Sequence, residues 1–503
     1  MSTQPVPISA EHQKSYKLLN IARDRRAKED KDYSAAHSRC KMQEEFTRRF
    51  HKPAYEWQLD VGEALCLGLD SLVLAGTGEG KSFPWLFPLL NDPSGEKKIL
   101  VISPLNALED DLARRFKALG FSSVAINGET WNRELQTDLE AGKHRVMLTS
   151  PEMALKHDGF RKLLSAPSFS KDIAVAIVDE AHCISQWGGV GGFREEYGEV
   201  GRLRAVLPPT VPILATTATA TPTVQRQIRD ALQFRDDDLF FINRGNDRHN
   251  ITPEVVRMTG AASDYSALNF IIDDAQDGEL QKTMVFCNTI QTTHDVAKYL
   301  RARLPHLKRR EIAVYHALRT ARAKKKAMRD FRNGKIRVLV TTEAAGMGAD
   351  IPDVKLVVQF KVPASLSIWL QRAGRAARSP NILGRAVLLV EKSVFETRIP
   401  DISSAGTSGL RRYRKNVEEG LRAYIETTQC RRDVSDKYFL NPPRIRGQHI
   451  CLGLPGWRIS EFYQNSLFLA ATTASKRLCC LPVQYPSPRP QRYSLHHLLI
   501  LAL

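Results

Sequence analysis

The residues best suited to chemistry open with Gly76-Thr77-Gly78-Glu79-Gly80-Lys81-Ser82. Glycine reaches backbone conformations that other residues avoid, so a loop this rich in it can wrap its N–H groups around a phosphate. In such a loop Lys81 would neutralise the terminal phosphates and Ser82 would hold magnesium. Ala75 stands where the first glycine of the pattern G-x-x-x-x-G-K-[ST] belongs, and a small residue is tolerated at a tight strand end. The competing reading is a glycine-rich surface turn. An independent acidic tetrad, Asp179-Glu180-Ala181-His182, argues against it, because Asp179 at the end of a second apolar run can hold the same metal. Together the two segments imply hydrolysis of ATP with magnesium.

The elements that must position these groups are short apolar runs. Run 71–75 precedes the glycine-rich loop and run 173–178 precedes the tetrad. Runs 99–103, 124–127, 145–149, 211–216 and 239–243 join them, alternating with helical patterns. That alternation predicts a parallel sheet with helices on both faces, in which ligands bind at the carboxyl ends of strands. After the polar stretch 244–250 the rhythm resumes at 283–287, 312–315, 337–340, 355–360 and 385–390. The second block lacks a phosphate loop but carries Gln371-Arg372-Ala373-Gly374-Arg375-Ala376-Ala377-Arg378, with arginine at every third position. We therefore expect a helical or flexible, solvated lead-in at 1–45 and a first α/β domain at 46–245. A second α/β domain at 246–398 would sandwich the nucleotide against the first. A helical basic segment at 399–443 and an irregular tail at 444–503 would follow.

The 503 residues carry a net charge of +18 and a pI near 9.6, a balance that favours polyanions. No apolar stretch is long enough to span a bilayer and residues 1–5 do not resemble a signal peptide, so a membrane partner is not expected and nucleic acid is. Eight cysteines are thinly spread and read as reduced thiols, not as a disulfide framework. The run Lys324-Lys325-Lys326 reads as one solvated helix face, with a nuclear address as the alternative.

The ordered motifs resemble superfamily 2 helicases, and RecQ-type DNA helicases in particular. They are Trp57-Gln58, 75–82, Ser103-Pro104-Leu105, Thr149-Ser150-Pro151-Glu152, the tetrad with Cys183-Ile184-Ser185-Gln186-Trp187-Gly188, 215–220, Gly346-Met347-Gly348-Ala349-Asp350 and 371–378. The resemblance implies two tandem RecA-like α/β domains and an ATP-dependent helicase that moves 3′ to 5′ on single-stranded DNA and opens duplex DNA; the nucleus is the expected location, with the cytoplasm as the alternative. A nucleic-acid-stimulated ATPase or translocase without strong unwinding, or a degenerate DNA-binding protein, are the alternatives. By resemblance, Gln58 reads adenine, Gly76, Thr77, Gly78, Gly80, Lys81 and Ser82 cradle the phosphates, and Asp350 and Gln371 also contact the nucleotide. Asp179 holds magnesium while Glu180 polarises water. Arg375 and Arg378, sharing one helix face, act as fingers on the γ-phosphate.

Ser103, Pro104, Thr149, His316 and Thr341 match segments that track the DNA backbone, and Trp187, Phe193 and Tyr197 match an aromatic-rich loop that meets unpaired bases. Between Trp187-Gly188 and Phe193 the chain has Gly189-Val190-Gly191-Gly192, a longer spacer expected to loosen that loop. Gln429-Cys430-Arg431-Arg432 and Lys437-Tyr438-Phe439-Leu440 resemble the start of a four-cysteine zinc module. No C-x-x-C pair follows, and zinc is not expected.

Overall fold

Apolar runs four to seven residues long, most of them rich in valine, isoleucine and leucine, become the strands of two parallel sheets. The computed structural model describes residues 10–189, 192–273, 279–345, 351–379, 381–397 and 413–444. In the first domain these are β1 (Asp70–Leu74), β2 (Lys98–Ile102), β3 (Ser123–Ile126), β4 (Val146–Thr149), β5 (Ile173–Val178), β6 (Ile213–Thr217) and β7 (Leu239–Asn243). Their order is β3-β4-β2-β5-β6-β1-β7. Strands β1 and β5 flank β6, so the loop after β1 and the tetrad after β5 emerge at the same sheet edge, two strand spacings or roughly 10 Å apart.

The second domain holds β8 (Ile251–Arg257), β9 (Thr283–Phe286), β10 (Ile312–Tyr315), β11 (Val338–Thr341), β12 (Leu356–Phe360) and β13 (Gly384–Val390), ordered β10-β11-β9-β12-β13-β8. Strand β8 was not expected. It carries Pro253 and alternates polar with apolar residues, which suits an edge strand with a single partner, here β13.

The solvated lead-in is a correction. Helices Ala10–Glu29 and Ala35–Phe50 are charge-rich, yet Leu19, Ala22, Met42, Phe46 and Phe50 join the first domain's core. The Ser15 hydroxyl donates to the Phe241 carbonyl on β7 and accepts from the Phe241 N–H, each at 2.9 Å. Beyond the second sheet, helices Glu419–Glu426 and Arg431–Phe439 bury Leu421, Tyr424, Ile425 and Phe439 against that domain's core. Of the segment read as 399–443, residues 413–443 are described. The tail read as 444–503 lies outside the described residues apart from Arg444, as do Asp350 and Cys451, Cys479 and Cys480.

Candidate nucleotide site and nucleic-acid face

The glycine-rich loop takes the backbone that glycine permits. Gly78 has φ of 90° and Gly80 has φ of 77°. A Cβ at Gly80 would also sit 2.8 Å from Gln58 Nε2 and from the Phe83 ring, so both conformation and space require glycine there. The chain after the loop does not enter a long helix. Pro84 and Pro88 restrict it to a 3-10 turn, Pro84–Leu86, and a single helical turn, Phe87–Leu90.

Lys81 folds its ammonium back onto the loop, donating to the carbonyls of Ala75 (2.9 Å) and Gly76 (3.2 Å). Burial lowers its pKa, and Glu180 and Asp179 oppose that shift. The Gln58 amide is buried and engaged at both ends: Nε2 donates to the Gly80 carbonyl at 3.1 Å, and Oε1 accepts from the Tyr55 N–H at 3.0 Å. Here Gln58 braces the phosphate loop, with the second lone pair of Oε1 left for a further donor.

The acid pair is held asymmetrically. Asp179 Oδ1 accepts from Thr216 Oγ1 (3.0 Å) and from the Glu180 N–H (2.9 Å). Burial, reinforced by the neighbouring Glu180 charge, pushes the Asp179 carboxyl up to about 7. Glu180 has φ of 48°, a left-handed conformation that costs a non-glycine residue roughly 1–2 kcal/mol. Burial would raise its pKa, but the Nδ1 edge of the His182 ring beside it and the charges of Lys81, Arg375 and Arg378 outweigh burial and hold it below the usual carboxylate range. Glu180 Oε2 lies 3.4 Å from His182 Nδ1, which is aimed instead at Thr217 Oγ1 (2.9 Å). That carboxylate oxygen is buried without a hydrogen-bond partner among the described residues. Hard oxygen donors, one of them unpartnered, beside a phosphate-binding loop fit a magnesium–nucleotide.

The second domain supplies the opposite wall. Arg375 and Arg378 act electrostatically on Glu180, and Arg378 also acts on Lys81, so the cluster read from sequence does face the phosphate loop. They do not share a helix face as expected. Helix Leu366–Ala373 ends before them, Gly374 caps it, and Ala377 between them takes φ of 45°. The pair therefore projects from a turn. Arg372, on the helix proper, is spent internally on Glu343 (2.9 Å) and Gln359 (2.6 Å).

Gln371 was read as a nucleotide contact. Its amide nitrogen lies 2.8 Å from both His182 Nε2 and Thr219 Oγ1, so it bridges the domains instead. Sequence reasoning missed Arg248, in the polar stretch taken as a domain boundary. It donates to Thr77 O (2.6 Å) in the phosphate loop and to Ala377 O (2.6 Å) in the arginine turn.

The residues read as DNA contacts divide by burial. Ser103, Thr149 and Thr341 are fully buried strand-end residues. Thr149 Oγ1 donates to the Ile126 carbonyl (2.8 Å) and Thr341 Oγ1 to the Thr342 carbonyl (2.9 Å). Their hydroxyls are not placed to grip phosphate, a correction that follows from sheets covered on both faces, in which every residue of β2, β4 and β11 is buried. Pro104 is buried too, and its carbonyl accepts from Arg194, which also clasps Glu152. His316 is buried with Nε2 3.1 Å from His294 Nε2.

The aromatic loop is graded outward. Tyr197 is fully buried, Trp187 is half-buried edge-on to it, and Phe193 stands 77% exposed while touching Trp187 at 5.4 Å between centroids. The longer glycine spacer does not unfasten the loop's base. The Arg194 N–H donates to the Trp187 carbonyl at 3.1 Å, closing the chain on itself beyond the spacer.

Comparison with known proteins bears on this arrangement. Residues 55–227 match the DEAD/DEAH box helicase family and residues 265–380 the helicase conserved C-terminal domain. The ATP-dependent DNA helicase RecQ of Haemophilus influenzae is 30% identical over 387 residues, covering 76% of this chain and 58% of that protein. In sequence the chain is similar to the RecQ-type helicases. ATP-dependent helicase wrn-1 of Caenorhabditis elegans is 33% identical over 345 residues, covering 66% of this chain and 30% of that protein. The helicase Lhr of Mycobacterium smegmatis, solved with ssDNA and AMP-PNP, shares the fold. Its TM-score is 0.55 at 19% identity, covering 71% of this chain and 48% of that one. The chain thus spans less than two thirds of the length of these relatives. Among its described residues no three His, Cys, Asp or Glu side chains are grouped to hold a metal.

Proposed function

We propose that this RecQ-type chain is an ATP-dependent DNA helicase that moves 3′ to 5′ on single-stranded DNA and opens duplex DNA. The observation that carries the reading is the convergence on Glu180 of Lys81 from one domain and of Arg375 and Arg378 from the other. A base kept ionised at the seam between two domains works only when they close, which couples hydrolysis to domain movement. Ser82 and Asp179 would hold magnesium, whose charge would offset that of the phosphate oxygens. Glu180 would take the proton of the attacking water, and Lys81, Arg375 and Arg378 would meet the charge that spreads over the γ-phosphate. Gln371 would report closure to His182 and Thr219, and Phe193 would stack on an unpaired base.

DNA-stimulated ATPase activity of the wild type and of Lys81→Ala tests the motor. Turnover close to wild type in Lys81→Ala would refute the role given to the phosphate loop. Strand displacement on 3′-tailed and 5′-tailed DNA duplexes, with an RNA duplex for comparison, tests polarity and substrate. A translocase with weak unwinding is the second reading, favoured by the spacer before Phe193. Displacement of a protein block from single strands, without strand separation, would select it.

A further inference from the structure

We infer that Arg248 is a positioning residue that aligns the phosphate loop with the arginine-bearing turn, and that Arg432 on the C-terminal helix sets Arg248 in place. The inference rests on the nucleotide-site reading above. One guanidinium spans both domains: Nη1 donates to Thr77 O at 2.6 Å and, more weakly, to Gly374 O at 3.4 Å, while Nη2 donates to Ala377 O at 2.6 Å. In a trans peptide the C=O and N–H point in opposite directions. Fixing the Thr77 carbonyl toward Arg248 therefore turns the Gly78 N–H away from it, toward the cradle. Fixing the Ala377 carbonyl likewise sets the peptide that carries Arg378. A planar fork of donors suits this double duty, because its two outer nitrogens can meet carbonyls on two different segments, whereas a lysine offers a single nitrogen.

Arg248 is itself held from behind. Arg432 bonds Asp247 and donates to the carbonyls of Arg248 (3.1 Å) and Ile251 (2.6 Å). Asn441 Nδ2 donates to Asn246 Oδ1 at 2.8 Å, and Asn243 Nδ2 donates to the Leu440 carbonyl at 3.1 Å. Helix Arg431–Phe439 and the residues after it thus clasp the chain that joins the two domains. A cleft lined by Thr77, Arg248, Gly374, Tyr424 and Arg432 separates the clasp from the phosphate loop. Burial, with Arg378 nearby, lowers the Arg248 pKa to about 10, consistent with a guanidinium drawn out of water for backbone carbonyls.

The test is a double-mutant cycle on the full chain, with Arg248→Ala, Arg432→Ala and the pair. Each is read by binding of a fluorescent ATP analogue, by DNA-stimulated kcat and KM for ATP, and by melting temperature. Arg248→Ala should weaken nucleotide binding about tenfold or more, the size that a charge-assisted hydrogen bond carries. It should also lower kcat. Arg432→Ala should move both in the same direction by less, and the pair should match Arg248→Ala alone. Arg248→Lys, which keeps the charge and guards against a misfolded alanine variant, should fall between wild type and Arg248→Ala.

Wild-type nucleotide affinity and kcat in Arg248→Ala, or in Arg248→Lys where the alanine variant does not fold, would overturn the role of Arg248. Strictly additive effects of Arg248→Ala and Arg432→Ala would overturn the relay. Failure of the wild type itself to bind or hydrolyse ATP would instead refute the nucleotide-site reading.

Discussion

Gln371 from the second domain and His182 from the first meet with their nitrogens 2.8 Å apart, both side chains buried. Only one of the two can supply the hydrogen, so His182 accepts through Nε2 and its proton sits on Nδ1, facing Thr217. Burial lowers the His182 pKa and keeps the neutral ring that this bond needs.

Gln371→Ala should therefore uncouple the domains without emptying the nucleotide site. DNA-stimulated turnover should fall about tenfold while nucleotide affinity stays within about twofold. A variant that loses ATP affinity alone would place Gln371 on the nucleotide after all.

Glu180→Gln keeps the shape of the side chain and removes its charge. ATP binding should persist, and hydrolysis should slow by roughly 10²- to 10⁴-fold. A trapped, ATP-bound form should then retain single-stranded DNA on a filter-binding assay, and loss of ATP binding would count against the role of Glu180 as base.

The aromatic loop separates contact from scaffold. Phe193→Ala should leave the melting temperature unchanged and weaken single-stranded DNA binding by about 1–3 kcal/mol, with a matching loss of DNA-stimulated ATPase activity. Tyr197→Ala, at a fully buried position, should cost about 3–5 kcal/mol of stability by denaturant unfolding.

Glu109 is fully buried on helix Asn106–Ala118, and burial pushes its carboxyl up to about 7 from an ordinary 4.5. The folded protein then binds the proton more tightly than the unfolded chain does. The stability this contributes is complete below pH 4.5 and is lost as pH rises through 7. Glu109→Gln should remove that slope, making the protein more stable than wild type at pH 8 by a few kcal/mol while changing little at pH 5. Denaturant midpoints across that range check it.

The strands and the phosphate loop were legible because their signals are local: continuous apolar runs and glycines in a fixed spacing. Twelve of the thirteen strands coincide with runs visible in the sequence, whereas β8 hid behind Pro253 and its polar face. The directions of side chains were less legible. Ser103, Thr149 and Thr341 carry the right hydroxyls, but both faces of their sheets are covered, and how far that cover reaches past a strand's end is not written in the identity of the residue there. The arginine turn was read as helix because its spacing is helical, while the left-handed Ala377 that breaks it answers to Arg248 and Asn250, whose side chains bond its carbonyl from far along the chain. Contacts between distant segments set these features, and the short-range pattern does not record them.

The paired bonds between Ser15 and Phe241 have a further consequence for solubility. Strand β7 is the last in its sheet, and such a strand offers unsatisfied N–H and C=O groups to any other strand that approaches. Ser15 occupies one such pair, and Leu19 and Ala22 of the same helix cover the apolar surface beside it. Removing the first 45 residues would bare both together. The shortened protein should self-associate through β7 into sheet-rich aggregates even with every nucleotide-binding residue intact.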